Sequence, residues 1–267
     1  MKQADFLRAI ARRLGRGEPL RAAPAHPAPG APDFWRAYRL ERAQLASAFA
    51  ANFERQGGRA IVCGDLPALR AALAEILREM APATIGVWGG GFLAAHGLED
   101  VLADCGARVV ASDPEGASDS VAARAEPPAE FAQVDASVTG CRWAIADTGT
   151  IVIAHGAGRE RSLSLLPAVH IVIVRTDQIR TRLGEVLAEL ASRPDAGAAG
   201  ESGGRIAGLP ANVLFMSGPS RSSDIENDLT IGVHGPAAVI ALLYGGAAST
   251  DGGGDAENGA AGKGARP

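Results

Sequence analysis

A polar loop between two apolar segments carries residue types that bind anions. Residues 215–236 read FMSGPSRSSDIENDLTIGVHGP. The spacing of Ser223 and Glu226 is typical of a capping box, so we expect a helix to begin there. A helix start offers unsatisfied N–H groups and partial positive charge, which favour an anionic ligand. We therefore predict an anion site formed by Ser217, Gly218, Ser220, Arg221 and Ser222.

Two histidines lie next to apolar residues, and we predict a different role for each. His234 ends the second apolar segment of this loop, just before a Gly-Pro pair. An imidazole can act as a base near neutral pH, although a hydrogen bond that closes a turn would explain His234 equally well. His170 lies inside a run of apolar residues, and we predict that it is a core histidine.

A second polar group follows the apolar residues 143–146. Asp147, Thr148, Gly149 and Thr150 have the composition of a tight turn, which by itself explains them. The functional alternative is that the Asp147 carboxylate accepts a proton and that the neighbouring backbone and hydroxyls hold the substrate.

A third group is the glycine-containing loop of residues 156–163, which carries Arg159 and Arg161. Guanidinium groups pair well with carboxylates, but a charged surface loop is an equally good explanation. Residues 89–91 are three glycines after a predicted strand, without the spacing of a P-loop or a dinucleotide fingerprint. We expect the three groups to form one pocket at strand ends that faces a small carboxylate.

These residues must be positioned by an α/β fold. Strand and helix patterns alternate between residues 60 and 111, which implies a parallel sheet covered by helices. Residues 143–146 and 150–154 flank a turn, which predicts an antiparallel pair. Helices are also predicted from Asp33 to about residue 56 and from Asp177 to about residue 192.

The chain divides into four regions by composition. Residues 1–14 form a predicted amphipathic helical arm, and residues 15–32 a proline-rich linker. Residues 33–244 contain the α/β domain. Residues 245–267 are rich in glycine and have no large apolar side chain, so we expect that tail to be disordered.

The net charge of −4 argues against nucleic-acid binding, which requires a basic surface. Residues 1–42 hold nine Lys/Arg and four Asp/Glu, a local charge of +5, so the remainder carries −9. The basic arm is either a solvated helix or an arm that docks on a partner or on another copy in a homo-oligomer.

Cysteine usage and hydropathy indicate the compartment. Cys63, Cys105 and Cys141 are too widely spaced for a self-contained iron–sulfur or zinc motif, and they favour a reducing environment. There is no apolar signal core near the N-terminus and no run of about 20 apolar residues, so we expect a cytoplasmic protein without a membrane span.

Three segments carry a family resemblance: residues 141–152 (CRWAIADTGTIV), 164–171 (SLLPAVHI), and 217–226 with 232–236 (SGPSRSSDIE and GVHGP). In this order they resemble the lactate utilization protein C family, also called the LUD domain or YkgG family, over about residues 33–243. The resemblance implies a fold of the NagB/RpiA/CoA-transferase group, with a Rossmann-type sheet and an added antiparallel portion.

The resemblance also implies a function. The family is associated with oxidation of L-lactate to pyruvate, together with iron–sulfur partner proteins. This chain would be the cluster-free component, with no cofactor or metal of its own, and would bind a small carboxylate. Two alternatives stay open: a free-standing enzyme of the CoA-transferase or sugar-phosphate type, and a non-catalytic carboxylate-binding regulatory or assembly module. Whether the chain is itself catalytic stays open as well.

Overall fold

The structure, a computed structural model, describes residues 3–19, 37–89, 91–112, 129–156, 158–191, 210, 212–223 and 229–245. Most of the predicted linker and almost all of the predicted tail lie outside these residues, as does Glu226. The chain forms two compact units, residues 1–38 and residues 39–267. In the first unit, helix α1 spans Gln3–Arg13 and places Phe6, Leu7 and Ile10 along one side.

Five α-helices are described in the second unit. They are α2 (Arg42–Arg55), α3 (Leu66–Met80), α4 (Phe92–Ala95), α5 (Glu99–Asp104) and α6 (Leu183–Ala191). Helix α3 shows how the sequence sets these bounds. The Asp65 carboxylate caps its start by accepting from the Ala68 N–H at 2.8 Å. Its apolar positions, spaced three and four apart, are buried against the sheet: Leu69, Leu73, Ile76 and Leu77.

Twelve strands are described in three sheets. Their bounds are β1 (Arg59–Val62), β2 (Thr84–Val87), β3 (Arg108–Ala111), β4 (Ala136–Gly140), β5 (Trp143–Ile145), β6 (Thr150–His155), β7 (Val169–Arg175), β8 (Ile179–Arg180), β9 (Asn212–Met216), β10 (Arg221–Ser223), β11 (Leu229–Ile231) and β12 (Ala238–Tyr244).

The central sheet has the order β1-β12-β7-β4-β2-β3, with every pair parallel. Strands β7 and β12 are nearly continuous apolar runs because helices or loops cover both faces of such a sheet. His170 of β7 is fully buried, as predicted for a core histidine, and its Nε2 lies 2.7 Å from the Thr139 hydroxyl. Burial lowers the pKa of His170 to about 3.

The second sheet has the order β8-β5-β6-β9 and contains the antiparallel pairs β5–β6 and β6–β9. The predicted strand–turn–strand at residues 143–154 is thereby confirmed. A parallel sheet joined to an antiparallel portion is the α/β fold expected from the sequence.

One predicted helix start is wrong, and another falls on residues that the structure does not describe. Ser223 ends strand β10, which pairs with β11 through Arg221 opposite Ile231 and Ser222 opposite Thr230. Residues 224–228, where a helix after Ser223 would begin, lie outside the described part of the chain, so that helix stays a prediction. Asp177 instead pairs with Arg175 within a short 3-10 turn, and the helix begins six residues later at Leu183.

The helix predicted from Asp33 to about residue 56 is not continuous, because residues 38–41 are not helical and α2 begins at Arg42. Residues 33–36 lie outside the described part of the chain. Throughout the described ranges, no helix combines the length and the apolar character needed to cross a bilayer.

Candidate functional site

A cleft opens at the carboxyl ends of β2, β4 and β7. In the central sheet, β4 lies between the other two strands. Open α/β sheets bind ligands at this edge. The cleft has a volume of about 290 Å³. Its wall includes residues that directly follow the three strands and residues of adjoining loops: Trp88, Gly89, His96, Cys141, Arg142, Arg159, Arg175 and Gln178.

Three guanidinium groups line this arginine cleft. The Arg142 guanidinium lies over the Trp143 ring at 5.2 Å, and that of Arg159 lies over the Trp88 ring at 5.9 Å. Both arginines are exposed, and within the described residues neither has a carboxylate close enough for an ion pair. Arg175 differs, because two of its nitrogens donate to Asp177 at 3.0 Å each.

The charge of the cleft is only partly compensated, because Asp177 pairs with Arg175 and the charge of Arg142 acts on Glu189. Among the residues that the structure describes, no aspartate or glutamate lines it. Gln178 instead bridges two strand ends, because its amide donates to the Cys141 carbonyl at 2.8 Å and accepts from the Arg175 N–H at 2.9 Å. Burial raises the pKa of the Cys141 thiol to about 12, so this side chain is a neutral part of the wall. The cleft therefore favours an anion.

Trp88 is part of the cleft wall. The residue is 7% exposed, and its Nε1–H is buried with no hydrogen-bond partner in the described part of the chain. An indole N–H has only a donor to offer, and leaving it unpaired in a protein interior is costly. Because this nitrogen is buried, the cleft meets the ring of Trp88 and not its donor.

The loop that carries Arg159 is held at several points. The Gly89 N–H donates to the Gly158 carbonyl at 3.1 Å, which ties the glycine segment after β2 to this loop. The loop leaves β6 at His155, whose ring is bonded to Asn212 at 3.1 Å and to Ser164 at 3.2 Å. Burial lowers the pKa of His155, so the neutral ring links β9 to the far end of the loop.

A second cluster, which we call the helix-end cluster, lies at the C-terminal end of α2. The hydroxyls of Thr148, Thr150 and Ser217 form a chain with oxygen–oxygen distances of 2.7 and 2.8 Å. The turn that begins this chain packs directly on α2, because the Asn52 amide donates to the Ala146 carbonyl at 2.7 Å.

Arg221 belongs to this cluster, and its guanidinium donates to the Gln56 carbonyl at the end of α2. Gly218 approaches the same carbonyl with a φ of +112°. The C-terminal end of a helix carries partial negative charge and repels anions. The described geometry therefore gives the Arg221 guanidinium a carbonyl as its partner.

Asp147 lies half-buried at the start of the same turn, where its N–H donates to the Thr181 carbonyl at 3.0 Å. Burial raises the pKa of its carboxyl group, and hydrogen bonds from Thr148 and the backbone partly oppose this effect. The charge of Glu185 acts in the same direction as burial. The protonated form is therefore favoured relative to an exposed aspartate.

The remaining predicted residues lie around the β10–β11 hairpin. Ser220 bonds to the loop after β11 through its N–H, which donates to the Pro236 carbonyl at 2.9 Å, and through its hydroxyl, which accepts from the His234 N–H at 3.3 Å. The His234 side chain is exposed, and Ser222 is half-buried in the strand. This bond uses the backbone of His234, so the role of its imidazole stays a prediction.

The predicted residues do not form one pocket. Thr150 begins β6, and the Arg159 loop follows its end, so the helix-end cluster and the arginine cleft are roughly 17 Å apart along a strand that rises about 3.3 Å per residue. Of the predicted residues, Arg159 lines the cleft, whereas Arg161 is exposed and does not.

Four further residues line the cleft although no sequence motif pointed to them: Arg142, Arg175, His96 and Gln178. A usable signal was present, because Arg142 lies two residues after β4 and Arg175 is the last residue of β7. Charged residues directly after apolar strands of a parallel sheet come together at one edge, whatever their separation in sequence. The site was predicted from polar loop motifs instead, and most of those motifs lie outside the cleft.

A second cavity of about 310 Å³ has mixed charge and is less suited to an anion. Arg39, Arg42 and Arg180 share its wall with Asp177 and Glu185. Across the described ranges, no group of three or more His, Cys, Asp or Glu side chains could hold a metal ion.

Comparison with known proteins gives three consistent likenesses. The LUD domain family model matches residues 46–244. Two proteins named lactate utilization protein C are similar: that of Halalkalibacterium halodurans is 39% identical over 104 residues, and that of Deinococcus radiodurans is 40% identical over 126 residues. These matches cover 39% and 46% of this chain, and 41% and 53% of the relatives, so the chain matches about half of each relative's length.

Among solved structures, the crystal structure of a DUF162 family protein from Deinococcus radiodurans is similar, with a TM-score of 0.52 and 26% identity. The superposition covers 77% of this chain and 99% of that protein. The likeness supports the α/β fold described above.

Proposed function

Since the chain belongs to the LUD domain family, we propose that it is a component of an L-lactate utilization system and binds a small carboxylate in the arginine cleft. The observation that carries this proposal is the pair of exposed guanidinium groups, Arg142 and Arg159, in a cleft whose described wall has no acidic residue. The names of the relatives supply the metabolic setting.

The chemistry of the cleft suits a carboxylate. A guanidinium offers a planar fork of N–H donors that matches the two oxygens of a carboxylate. The rings of Trp88 and Trp143 lie under two of these groups and limit their movement. A short anion therefore meets donors that are partly preorganised, which reduces the entropy lost on binding.

The remaining parts of the proposal concern the system around the chain. We propose that iron–sulfur proteins are its partners and carry the clusters, whereas this chain contributes none. Its three cysteines are free, two of them buried and one half-buried. A cytoplasmic location is part of the same proposal.

One alternative is weakened by a specific observation. A transferase of the CoA type uses a glutamate nucleophile, yet no glutamate lines the described wall of the cleft. A non-catalytic carboxylate-binding module would have the same cleft and would differ only in the absence of turnover with the partners.

The direct test is a calorimetric titration of L-lactate into the wild-type chain and the Arg159→Ala variant. Loss of a charge-assisted hydrogen-bond pair costs about 1.5–3 kcal/mol, so we expect the Kd to rise by about tenfold or more. Arg161→Ala is the matched control, because this arginine is exposed on the same loop but does not line the cleft. Its affinity should be unchanged.

Equal affinities for the wild type and Arg159→Ala would contradict the assignment of the cleft. The metabolic setting has a separate test, growth of a deletion strain on L-lactate as sole carbon source. Normal growth would contradict a role in lactate utilization, and a growth defect restored by the wild-type chain would support it.

A further inference from the structure

His96 lies at the end of α4 and lines the arginine cleft. Its Nδ1 is 2.8 Å from the Phe92 carbonyl oxygen. A carbonyl oxygen can only accept, so Nδ1 must carry the hydrogen. In the neutral ring, Nε2 is then an acceptor with a free lone pair.

The ring of His96 is held in place by its neighbours. Its centroid lies 4.7 Å from that of Phe92 and 6.0 Å from that of Tyr244. Together with the bond to the Phe92 carbonyl, these contacts restrict rotation of the imidazole. Within the described residues, Nε2 has no hydrogen-bond partner. The cleft therefore combines carboxylate-binding donors with one oriented acceptor.

We propose that His96 makes the cleft selective for 2-hydroxy carboxylates over 2-keto carboxylates, because Nε2 accepts a hydrogen bond from the ligand hydroxyl. This inference rests on the proposed function of the cleft, in which Arg142 and Arg159 hold the carboxylate. The arginines cannot distinguish 2-hydroxy from 2-keto carboxylates, because both have the carboxylate that the arginines bind. His96 would add this selectivity.

The selectivity follows from the hydrogen-bonding capacity of the two ligands. A hydroxyl can donate to Nε2, whereas a keto oxygen is an acceptor and would face another acceptor. Sites built to hydrogen-bond a ligand hydroxyl discriminate strongly against analogues that cannot form the bond. We expect the preference to be about tenfold, the effect of one partly exposed neutral hydrogen bond.

The test is a set of calorimetric titrations at pH 8. L-lactate, pyruvate and propionate are titrated into the wild-type chain, His96→Phe and His96→Gln. Propionate has the carboxylate but no oxygen at carbon 2, so it reports the arginines alone. Phe keeps a planar ring without nitrogen, and Gln retains a side-chain oxygen that can accept.

The wild type should bind L-lactate about tenfold more tightly than pyruvate or propionate. In His96→Phe this preference should vanish, while the affinity for propionate changes by less than about twofold; His96→Gln should retain part of it. Equal binding of the three ligands by the wild type, or an unchanged preference in His96→Phe, would overturn the inference alone. Absence of propionate binding to the wild type would overturn the proposed cleft as well.

Discussion

At the scale of single residues, the sequence predicts which hydrogen bonds a side chain can make, but not the group with which it makes them. Arg221 has the guanidinium expected of an anion ligand, yet in the structure it donates to the Gln56 carbonyl. Arg159, from a less distinctive loop, lines the cleft that suits a carboxylate. A guanidinium satisfies carbonyl and carboxylate oxygens alike, so only the fold decides between them.

Asp147 provides a prediction at this scale. Burial raises its folded-state pKa, so the unfolded chain ionises first as the pH rises. Stability is therefore fully present below the unfolded pKa of about 3.9 and is lost as the pH rises through the folded value. Asp147→Asn removes this loss, and we expect it to raise stability at pH 7 by less than about 1 kcal/mol, because the group is only half-buried.

Denaturant unfolding of the wild type and Asp147→Asn at pH 3 and pH 7 measures this effect. The two proteins should be almost equally stable at pH 3, and the variant should be the more stable at pH 7. A difference of the same size at both pH values would show that the carboxyl group does not titrate abnormally.

At the scale of elements, long periodic segments were predicted well and short segments were not. The apolar spacing of α3 and the strand–turn–strand at residues 143–154 both appear in the structure. The pairing of β10 with β11 was not predicted, because strands of three residues carry little sequence pattern. The arginine cleft was missed because strand order, which no local pattern reveals, places its residues side by side.

Gly149 tests how closely the turn before β6 must approach α2. Its φ is +62°, and a Cβ atom there would lie 2.2 Å from the backbone nitrogen of Phe53. Backbone cannot move aside as a flexible side chain can, so we expect Gly149→Ala to lower stability by about 2–4 kcal/mol.

Gly64→Ala is the matched control for this substitution. A Cβ atom at Gly64 would meet no other atom within 4 Å, and the residue lacks a left-handed φ. Its free energy of unfolding should change by less than about 0.5 kcal/mol. Equal effects of the two substitutions in denaturant unfolding would contradict the close packing of the turn on α2.

At the scale of the whole molecule, the fold places the helix-end cluster and the arginine cleft apart, although some of their residues are close in sequence. Strand β6 has the helix-end cluster at its start and the arginine loop after its end. The first cluster ties a turn and a hairpin to α2 and contributes to the fold. The second lies at the carboxyl edge of the parallel sheet, where ligands bind in such folds, and in the described part of the chain two of its guanidinium groups have no ion pair.

The most direct test of this division is a crystal structure of the chain grown with L-lactate. We predict that the lactate carboxylate lies within hydrogen-bonding distance of the Arg142 and Arg159 guanidinium groups, at the carboxyl ends of β2, β4 and β7. A lactate molecule bound instead beside Ser220, Arg221 and His234, with none in the arginine cleft, would contradict the account.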